Sequence, residues 1–162
     1  MKPAFKKDGF GTAGNASIIS DGAAAVVVMA REKAEALGCQ VLATVGAQAS
    51  AGIEMKYVLV APILAVPKCL EKEGISKEDV DLYEINEAFA VVAMAALRDV
   101  GLDHARVNVN GGACALGHPI GATGARITTT LIYALRARGL KRGIASLCIG
   151  GGEATAIAIE II

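Results

Sequence analysis

The segment Gly143-Ile-Ala-Ser-Leu-Cys-Ile-Gly-Gly-Gly-Glu-Ala-Thr-Ala-Ile-Ala-Ile-Glu-Ile161 decides the fold of this chain. Its two apolar parts, residues 143–149 and 154–161, contain the small and β-branched residues that are typical of buried strands. A short glycine run, Gly150 to Gly152, separates them, which favours an antiparallel hairpin. We therefore expect the chain to close with two paired strands.

Upstream of this hairpin, predicted strands and helices alternate. Apolar runs predict strands at residues 23–30, 41–47, 81–85 and 107–109. Helical spacing and terminal glycines predict helices at residues 31–37, 62–73, 87–100 and 121–138, and a capping box at residues 76–79 opens one further turn. This order predicts an α/β protein with a layered α/β/α architecture and a mixed sheet. Because the run 23–30 is unbroken, we expect it to be a strand covered on both faces.

Composition and charge exclude several classes of function. The chain has 162 residues, 54% of them hydrophobic, which is enough for one domain with a sizeable core. Sixteen basic residues balance sixteen acidic ones, so neither a nucleic acid nor an anionic membrane is an expected partner. The apolar runs are shorter than the roughly 18 to 20 residues of a membrane span, and no secretory signal opens the sequence. We expect a cytoplasmic protein.

The four cysteines, Cys39, Cys69, Cys114 and Cys148, are widely spaced. Without a CxxC pair they favour neither a zinc site nor a disulfide framework, so we interpret each as a free thiol. The glycine-rich loop at residues 11–17 could approach a ligand closely, but neither it nor Gly121–Gly124 matches a phosphate-binding motif of nucleotide-binding proteins.

Three polar residues, Asn86, His118 and Cys148, lie where predicted strands end, and such loops converge at one edge of an α/β sheet. His118 can act as a base or as a hydrogen-bond donor to a ligand, or its ring can simply form hydrogen bonds with the backbone of its own loop. Cys148 precedes glycines whose amides could form an oxyanion hole, or it is a buried structural cysteine. Asn86 either caps the following helix or holds a water molecule. Cys114 remains open as a nucleophile, although its neighbours favour a packing role.

Four motifs in this order resemble the thiolase family, most closely acetyl-CoA acetyltransferases of the acetoacetyl-CoA type. They are Thr12-Ala-Gly-Asn-Ala-Ser17 with Asp21-Gly-Ala-Ala-Ala25, Asn86-Glu-Ala-Phe-Ala90, Asn110-Gly-Gly with Gly117-His-Pro-Ile-Gly121, and Cys148-Ile-Gly-Gly-Gly152. The resemblance implies a layered fold of paired βαβαβαββ halves, coenzyme A thioester substrates and ping-pong acyl transfer, with no metal and no bound cofactor.

The resemblance also implies roles for individual residues. His118 would activate a nucleophilic cysteine, and Asn86 would hold the water that completes the first oxyanion hole. Cys148 would act as the acid/base on the second acetyl group, and the amide of Gly150 would contribute to the second oxyanion hole. The expected contacts of the pantetheine arm are Ala13, Ser17, Ala88 and Phe89. Residues 18–20 and 57–62 depart from the family pattern, which could narrow the pantetheine tunnel.

The resemblance divides the chain into the tail of the family's N-terminal domain, residues 1–40, and its C-terminal domain, residues 41–162. The acylated cysteine of the family lies in an N-terminal part that these residues do not include. We therefore expect condensation of two acetyl-CoA to acetoacetyl-CoA, or the reverse thiolysis, with an N-terminal half as partner. The alternatives are a non-catalytic module that binds coenzyme A or another subunit, as in a homo-oligomer, and autonomous acyl transfer through Cys148 or Cys114.

Overall fold

A computed structural model describes residues 1–162 as an α/β fold around a four-stranded sheet. The strands are β1 (Ala43–Gly52), β2 (Leu82–Ile85), β3 (Arg142–Ile149) and β4 (Glu153–Ile161). Their spatial order is β1-β4-β3-β2, with β2 parallel to β3 and the other two pairs antiparallel. The mixed sheet and the terminal hairpin, which pairs Ile149 with Glu153, are confirmed.

Five α-helices accompany the sheet. They are α1 (Arg31–Ala36), α2 (Pro62–Glu73), α3 (Ala90–Ala95), α4 (Ala113–Leu116) and α5 (Thr123–Arg138). A π-helical turn, Ala96–Gly101, prolongs α3, and short 3-10 turns occur at Met55–Val60, Lys77–Asp79 and His104–Arg106. None of these helices is both long enough and apolar enough to cross a membrane.

The helices cover the two faces of the sheet, which confirms the α/β/α layering. Helix α2 packs on β1 and β4, whereas α5 packs on β2 and β3 from the other side. Side chains alternate between the faces of a strand, so β2 sends Tyr83 and Ile85 into the α2 layer and Leu82 into the α5 layer. Burying each such side chain stabilises the fold by about 1.5–3 kcal/mol.

Local signals in the sequence set several helix ends where they were predicted. Helix α2 stops at Gly74 and α5 at Gly139, and both glycines adopt the left-handed conformation, with φ of 73° and 65°. The predicted capping box is present, because the Asp79 carboxylate accepts hydrogen bonds from the backbone and hydroxyl of Ser76. Helix α1 also ends before a left-handed glycine, Gly38.

Three predicted elements are wrong in type or extent. Residues 23–30 belong to no strand, and Val27 and Val28 are 85% and 72% exposed, because neither edge of the sheet pairs with this run. The predicted strand 107–109 is reduced to one bridge between Val107 and Tyr83, since Asn108 turns the chain with φ 49°. The helix predicted from residue 87 begins only at Ala90.

We predict that Gly152→Ala lowers the free energy of unfolding by roughly 2–3 kcal/mol. Gly152 has φ 87°, and a Cβ atom built on it would meet the carbonyl oxygen of Ile53. Gly150→Ala in the same turn is the matched control, since nothing lies within 4 Å of its added Cβ. Urea denaturation measures both variants, and equal losses would contradict this account of the turn.

Candidate active site

Asn86 lies directly after β2, at the carboxyl end of the parallel pair β2/β3. Its backbone N–H donates to the carbonyl of Ser146 at 2.9 Å, so the parallel ladder continues one residue past β2. Its side chain is 2% exposed. Helix α3 begins four residues later and is preceded by Phe89, so the interpretation of Asn86 as a helix cap is wrong. The side-chain amide is thereby available for the site.

His118 lies between α4 and α5, and its ring is anchored to the first turn of α5. Nδ1 is 2.7 Å from the Thr123 hydroxyl oxygen, and that hydroxyl is placed to donate its single proton to the carbonyl of Pro119 at 3.0 Å. With that proton given to Pro119, the hydroxyl oxygen accepts from His118, and on this basis we assign the imidazole proton to Nδ1. The other ring nitrogen, Nε2, is left with a free lone pair.

The lone pair of His118 Nε2 faces the side chain of Asn86. The amide nitrogen Nδ2 of Asn86 is 3.4 Å from Nε2, and Oδ1 of Asn86 accepts from Nη2 of Arg126, also at 3.4 Å. Burial, with a smaller contribution from the Arg126 charge, lowers the pKa of His118. The ring is therefore a neutral base with Nε2 as its basic atom, which is the form required of a general base.

Cys148 lies on β3, beside the strand that carries Asn86. In the β2/β3 register Ile85 pairs with Ser146, so Cys148 lies two residues further toward the same sheet edge. Its side chain is half-buried, and this burial raises the pKa of the thiol, so the neutral thiol is the resting form. No hydrogen bond joins Cys148 to His118 or Asn86 in this structure.

Gly150 follows in the turn between β3 and β4 and is exposed. A Cβ atom added there would meet nothing within 4 Å, so the backbone of Gly150 is open to approach. The next residue, Gly151, has φ 93°, which only glycine adopts readily.

A short extended segment, Ala16 to Ile19, connects the loop of Asn86 with the loop of His118, and the sequence did not reveal it. Ala16 bridges Phe89, the N–H of Ser17 donates to the carbonyl of Ala88 at 3.1 Å, and Ile19 bridges His118. This pairing keeps residues 88 and 89 extended, which explains the late start of α3.

Four residues expected to contact pantetheine lie on or beside this segment. Ser17, Ala88 and Phe89 are joined by the pairing itself, and the ring of Phe5 packs edge-on against Phe89 with centroids 5.4 Å apart. Ala13 is exposed in the turn that Thr12 and Asn15 close by hydrogen bonds. Directly after this segment in sequence, residues 20–24 line an open groove of about 410 Å³ together with residues 119–122.

Cys114 is held by the loop of Asn86 and does not have the surroundings of a nucleophile. Its backbone N–H donates to the carboxylate of Glu87 at 3.2 Å, and its thiol donates to the carbonyl of Glu87. Burial and the charge of Glu87 raise the pKa of this thiol. A nucleophilic cysteine requires the opposite shift. Gly112 makes room for the Glu87 side chain, which an added Cβ would strike.

Three further residues at the site were not predicted. Thr123 and Arg126 are three apart on α5 and contact His118 and Asn86, respectively. Glu84 is 2% exposed on β2. A carboxylate within the predicted strand 81–85, two residues before Asn86, was a usable signal, because a carboxylate that a strand buries is rare.

Residues 39–161 match the family model described as "Thiolase, C-terminal domain", and residues 1–32 match "Thiolase, N-terminal domain". The chain is 54% identical over 160 residues to an acetyl-CoA acetyltransferase of Allochromatium vinosum, and 52% identical over 159 residues to one of Pseudomonas aeruginosa. The two matches span 99% and 98% of this chain, but only 41% and 40% of the length of the two relatives.

Solved structures give the same result. The crystal structure of the Bacillus anthracis acetyl-CoA acetyltransferase superposes with a TM-score of 0.96 at 52% identity, over 99% of this chain and 41% of that one. Human mitochondrial 3-ketoacyl-CoA thiolase in complex with CoA superposes with a TM-score of 0.89 at 38% identity, over 99% of this chain and 41% of that one. The chain therefore spans about two fifths of the length of the proteins that it matches.

We predict that Thr123→Val releases the His118 ring from its tautomer. Without a hydroxyl to accept the Nδ1 proton, the population with the proton on Nε2 should rise, whereas Thr123→Ser should keep the wild-type tautomer. Nitrogen chemical shifts of the imidazole measure this, and exposed His104 is an internal reference. Thr129→Val is the matched control on α5, because Thr129 bonds only the Ala125 carbonyl. An unchanged tautomer in Thr123→Val would contradict the assignment.

A second prediction concerns Glu84, because burial raises the pKa of its carboxyl to about 7, against the opposing charge of Arg126. Between pH 4.5 and 7 the unfolded chain loses this proton while the folded chain keeps it, so rising pH disfavours folding. Relative to Glu84→Gln, the wild type should lose roughly 1–3 kcal/mol of unfolding free energy from pH 4.5 to 7.5. Urea denaturation across this range tests it, and a pH-independent difference would contradict it.

Proposed function

The chain belongs to the thiolase family, and we propose that it supplies the His118, Asn86 and Cys148 part of an acyltransferase active site. The proposed reaction condenses two acetyl-CoA to acetoacetyl-CoA, or runs the reverse thiolysis. Residues 1–40 would be the tail of the N-terminal domain and residues 41–162 the C-terminal domain. The acylated cysteine would come from residues outside these 162, in the same or a second polypeptide.

One observation carries this proposal: the neutral His118 ring, whose basic Nε2 faces the amide of Asn86. In the first half-reaction Nε2 would take the proton of the attacking cysteine thiol and return it to the departing coenzyme A sulfur. The amide of Asn86 would orient a water whose hydrogen, together with the Nε2 proton, stabilises the thioester oxygen as it becomes negative.

Cys148 would exchange the proton on the second acetyl group. In the condensation direction its thiolate takes a proton from the methyl carbon of acetyl-CoA, and the resulting carbanion attacks the acyl-enzyme carbonyl. The carbon–sulfur bond to the acylated cysteine then breaks, and the departing cysteine thiolate takes the proton that Cys148 has gained. Because burial raises the pKa of this thiol, its thiolate is a stronger base than an exposed one. The exposed amide of Gly150 would bind the thioester oxygen of this second substrate.

Coenzyme A would enter as substrate, along the segment that pairs residues 16–17 with 88–89. Ser17 and Ala13 would contact the pantetheine arm, and Ala88 with Phe89 would form the adjoining wall. No metal and no resident cofactor is required by this chemistry, since the bases and donors are all side chains or backbone amides.

A second candidate is a subunit-interaction module, which the exposed apolar run 26–29 favours. Its residues, Val26, Val27, Val28 and Met29, are 46%, 85%, 72% and 39% exposed, and solvated apolar runs of this kind mark surfaces that another protein part covers. An N-terminal thiolase half or a second copy of this chain would cover it. This candidate predicts association without turnover.

We predict that the chain cleaves acetoacetyl-CoA with coenzyme A only when an N-terminal thiolase half is added. His118→Ala and Cys148→Ala should each lower turnover of that mixture about 100-fold or more, because each removes a proton-transfer group. Cys39→Ala is the control, since Cys39 is exposed and lies outside the site. Acetyl-CoA should label a cysteine of the added half.

The outcomes distinguish the proposed acyltransferase part, the interaction module and autonomous acyl transfer. Turnover by the chain alone that disappears in Cys148→Ala would make Cys148 the nucleophile and overturn the proposal. A stable complex without turnover would leave the interaction module. Unchanged turnover in His118→Ala would exclude His118 as the base.

A further inference from the structure

Behind Asn86 and His118 lies a second row of polar side chains, between β2 and α5. Glu84 lies on β2 and Asn86 follows directly after β2, two residues further on, so both point toward the face that α5 covers. Arg126 reaches this face from α5, where its Nη2 donates to Asn86 Oδ1 at 3.4 Å. None of these contacts includes a backbone group of the catalytic loops.

The orientation of the Asn86 amide is decided by its two neighbours. A guanidinium can only donate, so Arg126 requires the oxygen of the amide on its own side. His118 Nε2 has a lone pair, because Thr123 takes the Nδ1 proton, so it requires the amide hydrogens. Both demands give the same orientation. If the Asn86 amide were reversed, its oxygen would face the lone pair of His118 Nε2 and its hydrogens would face the Arg126 guanidinium. Both contacts would be repulsive.

Glu84 is the acidic group behind Arg126. It is the only buried acidic side chain, and no salt bridge joins it to the guanidinium. Burial raises the pKa of Glu84 to about 7, so its carboxylate attracts Arg126 only above that pH. Oε1 of Glu84 and Nε and Nη1 of Arg126 are buried without a hydrogen-bond partner in the protein. Buried polar atoms without partners cost stability, so their presence behind the site indicates another role.

We propose that Arg126 is a positioning residue, which fixes the Asn86 amide with its hydrogens toward His118 Nε2, and that Glu84, when ionised, stabilises the guanidinium there by charge attraction. The contribution of this arrangement to acyl transfer rests on the proposed function, whereas the orientation of Asn86 does not. Arg126 acts on the reaction only through Asn86. It sets which end of that amide a water or an oxyanion meets.

The direct test is the titration of His118 by NMR, with exposed His104 as internal reference. Arg126→Met removes a positive charge and the constraint on Asn86, and a freed Asn86 can turn its oxygen to the imidazolium. Both effects raise the titration midpoint of His118. In an Asn86→Ala background only the charge effect remains. The proposal therefore expects a larger upward shift when Asn86 is present than when it is absent.

Four further variants control this cycle. Arg126→Lys keeps the charge and a donor, so it should restore most of the wild-type midpoint. Glu84→Gln/Arg126→Met also removes the titration of Glu84 and keeps the test valid if the single variant unfolds. Arg136→Met removes an exposed charge from the same helix and should leave the midpoint unchanged. Above the pKa of Glu84, Glu84→Gln alone should mobilise the Arg126 guanidinium, seen as loss of its distinct Nη signals.

The kinetic arm uses the chain mixed with an N-terminal half. Arg126→Met should lower kcat by roughly 10- to 100-fold while leaving KM for the thioester nearly unchanged, because Arg126 contacts Asn86 and not the pantetheine wall. A KM increase with unchanged kcat would overturn the catalytic part.

The two proposals fail separately. Equal His118 shifts with and without Asn86 would overturn the positioning role, even if the wild-type mixture is active. An inactive wild-type mixture would overturn the proposed function and leave the titration cycle as it stands.

Discussion

The parallel pairing of β2 with β3 is the constraint on which the site depends. Two parallel strands end at the same edge, so Asn86 after β2 and Cys148 near the end of β3 both lie at that edge of the sheet without any hydrogen bond between them. β2 has four residues and all are buried, which fixes the direction of every side chain that it carries. Because side chains alternate between the two faces, Glu84 and Asn86 point toward α5. Tyr83 and Ile85 point into the core under α2.

Helix α5 also positions the site, because side chains on one of its faces contact two site residues. Thr123 in its first turn determines the proton position on His118, and Arg126, one turn later, bonds Asn86. The spacing of three residues places both side chains on the same face of the helix. A single rigid element thus sets the geometry of a base and a donor that come from loops 32 residues apart in sequence.

The sequence predicted elements whose signals are local and missed those whose partners are distant. The hairpin follows from Gly150–Gly152, and the end of α2 follows from Gly74, since both depend on neighbouring residues only. The run 23–30 has the composition of a strand, but a strand also needs a partner, and the sheet offers it none. The place of Asn86 at a strand end was predictable, whereas His118 follows helix α4 and not a strand. Their link through Arg126 was not, because it depends on how α5 crosses the sheet.

Asn108 shows how a sheet can be ended by a side chain. It bridges back to β2, where its Oδ1 accepts from the N–H of Ile85 at 2.8 Å and its Nδ2 donates to the carbonyl of Ile85 at 2.9 Å. One amide group thereby imitates the peptide group of a neighbouring strand and occupies the last open rung of β2. The edge beside the catalytic asparagine candidate is closed to further strands, so growth of this sheet by a partner would have to occur along β1, away from the site.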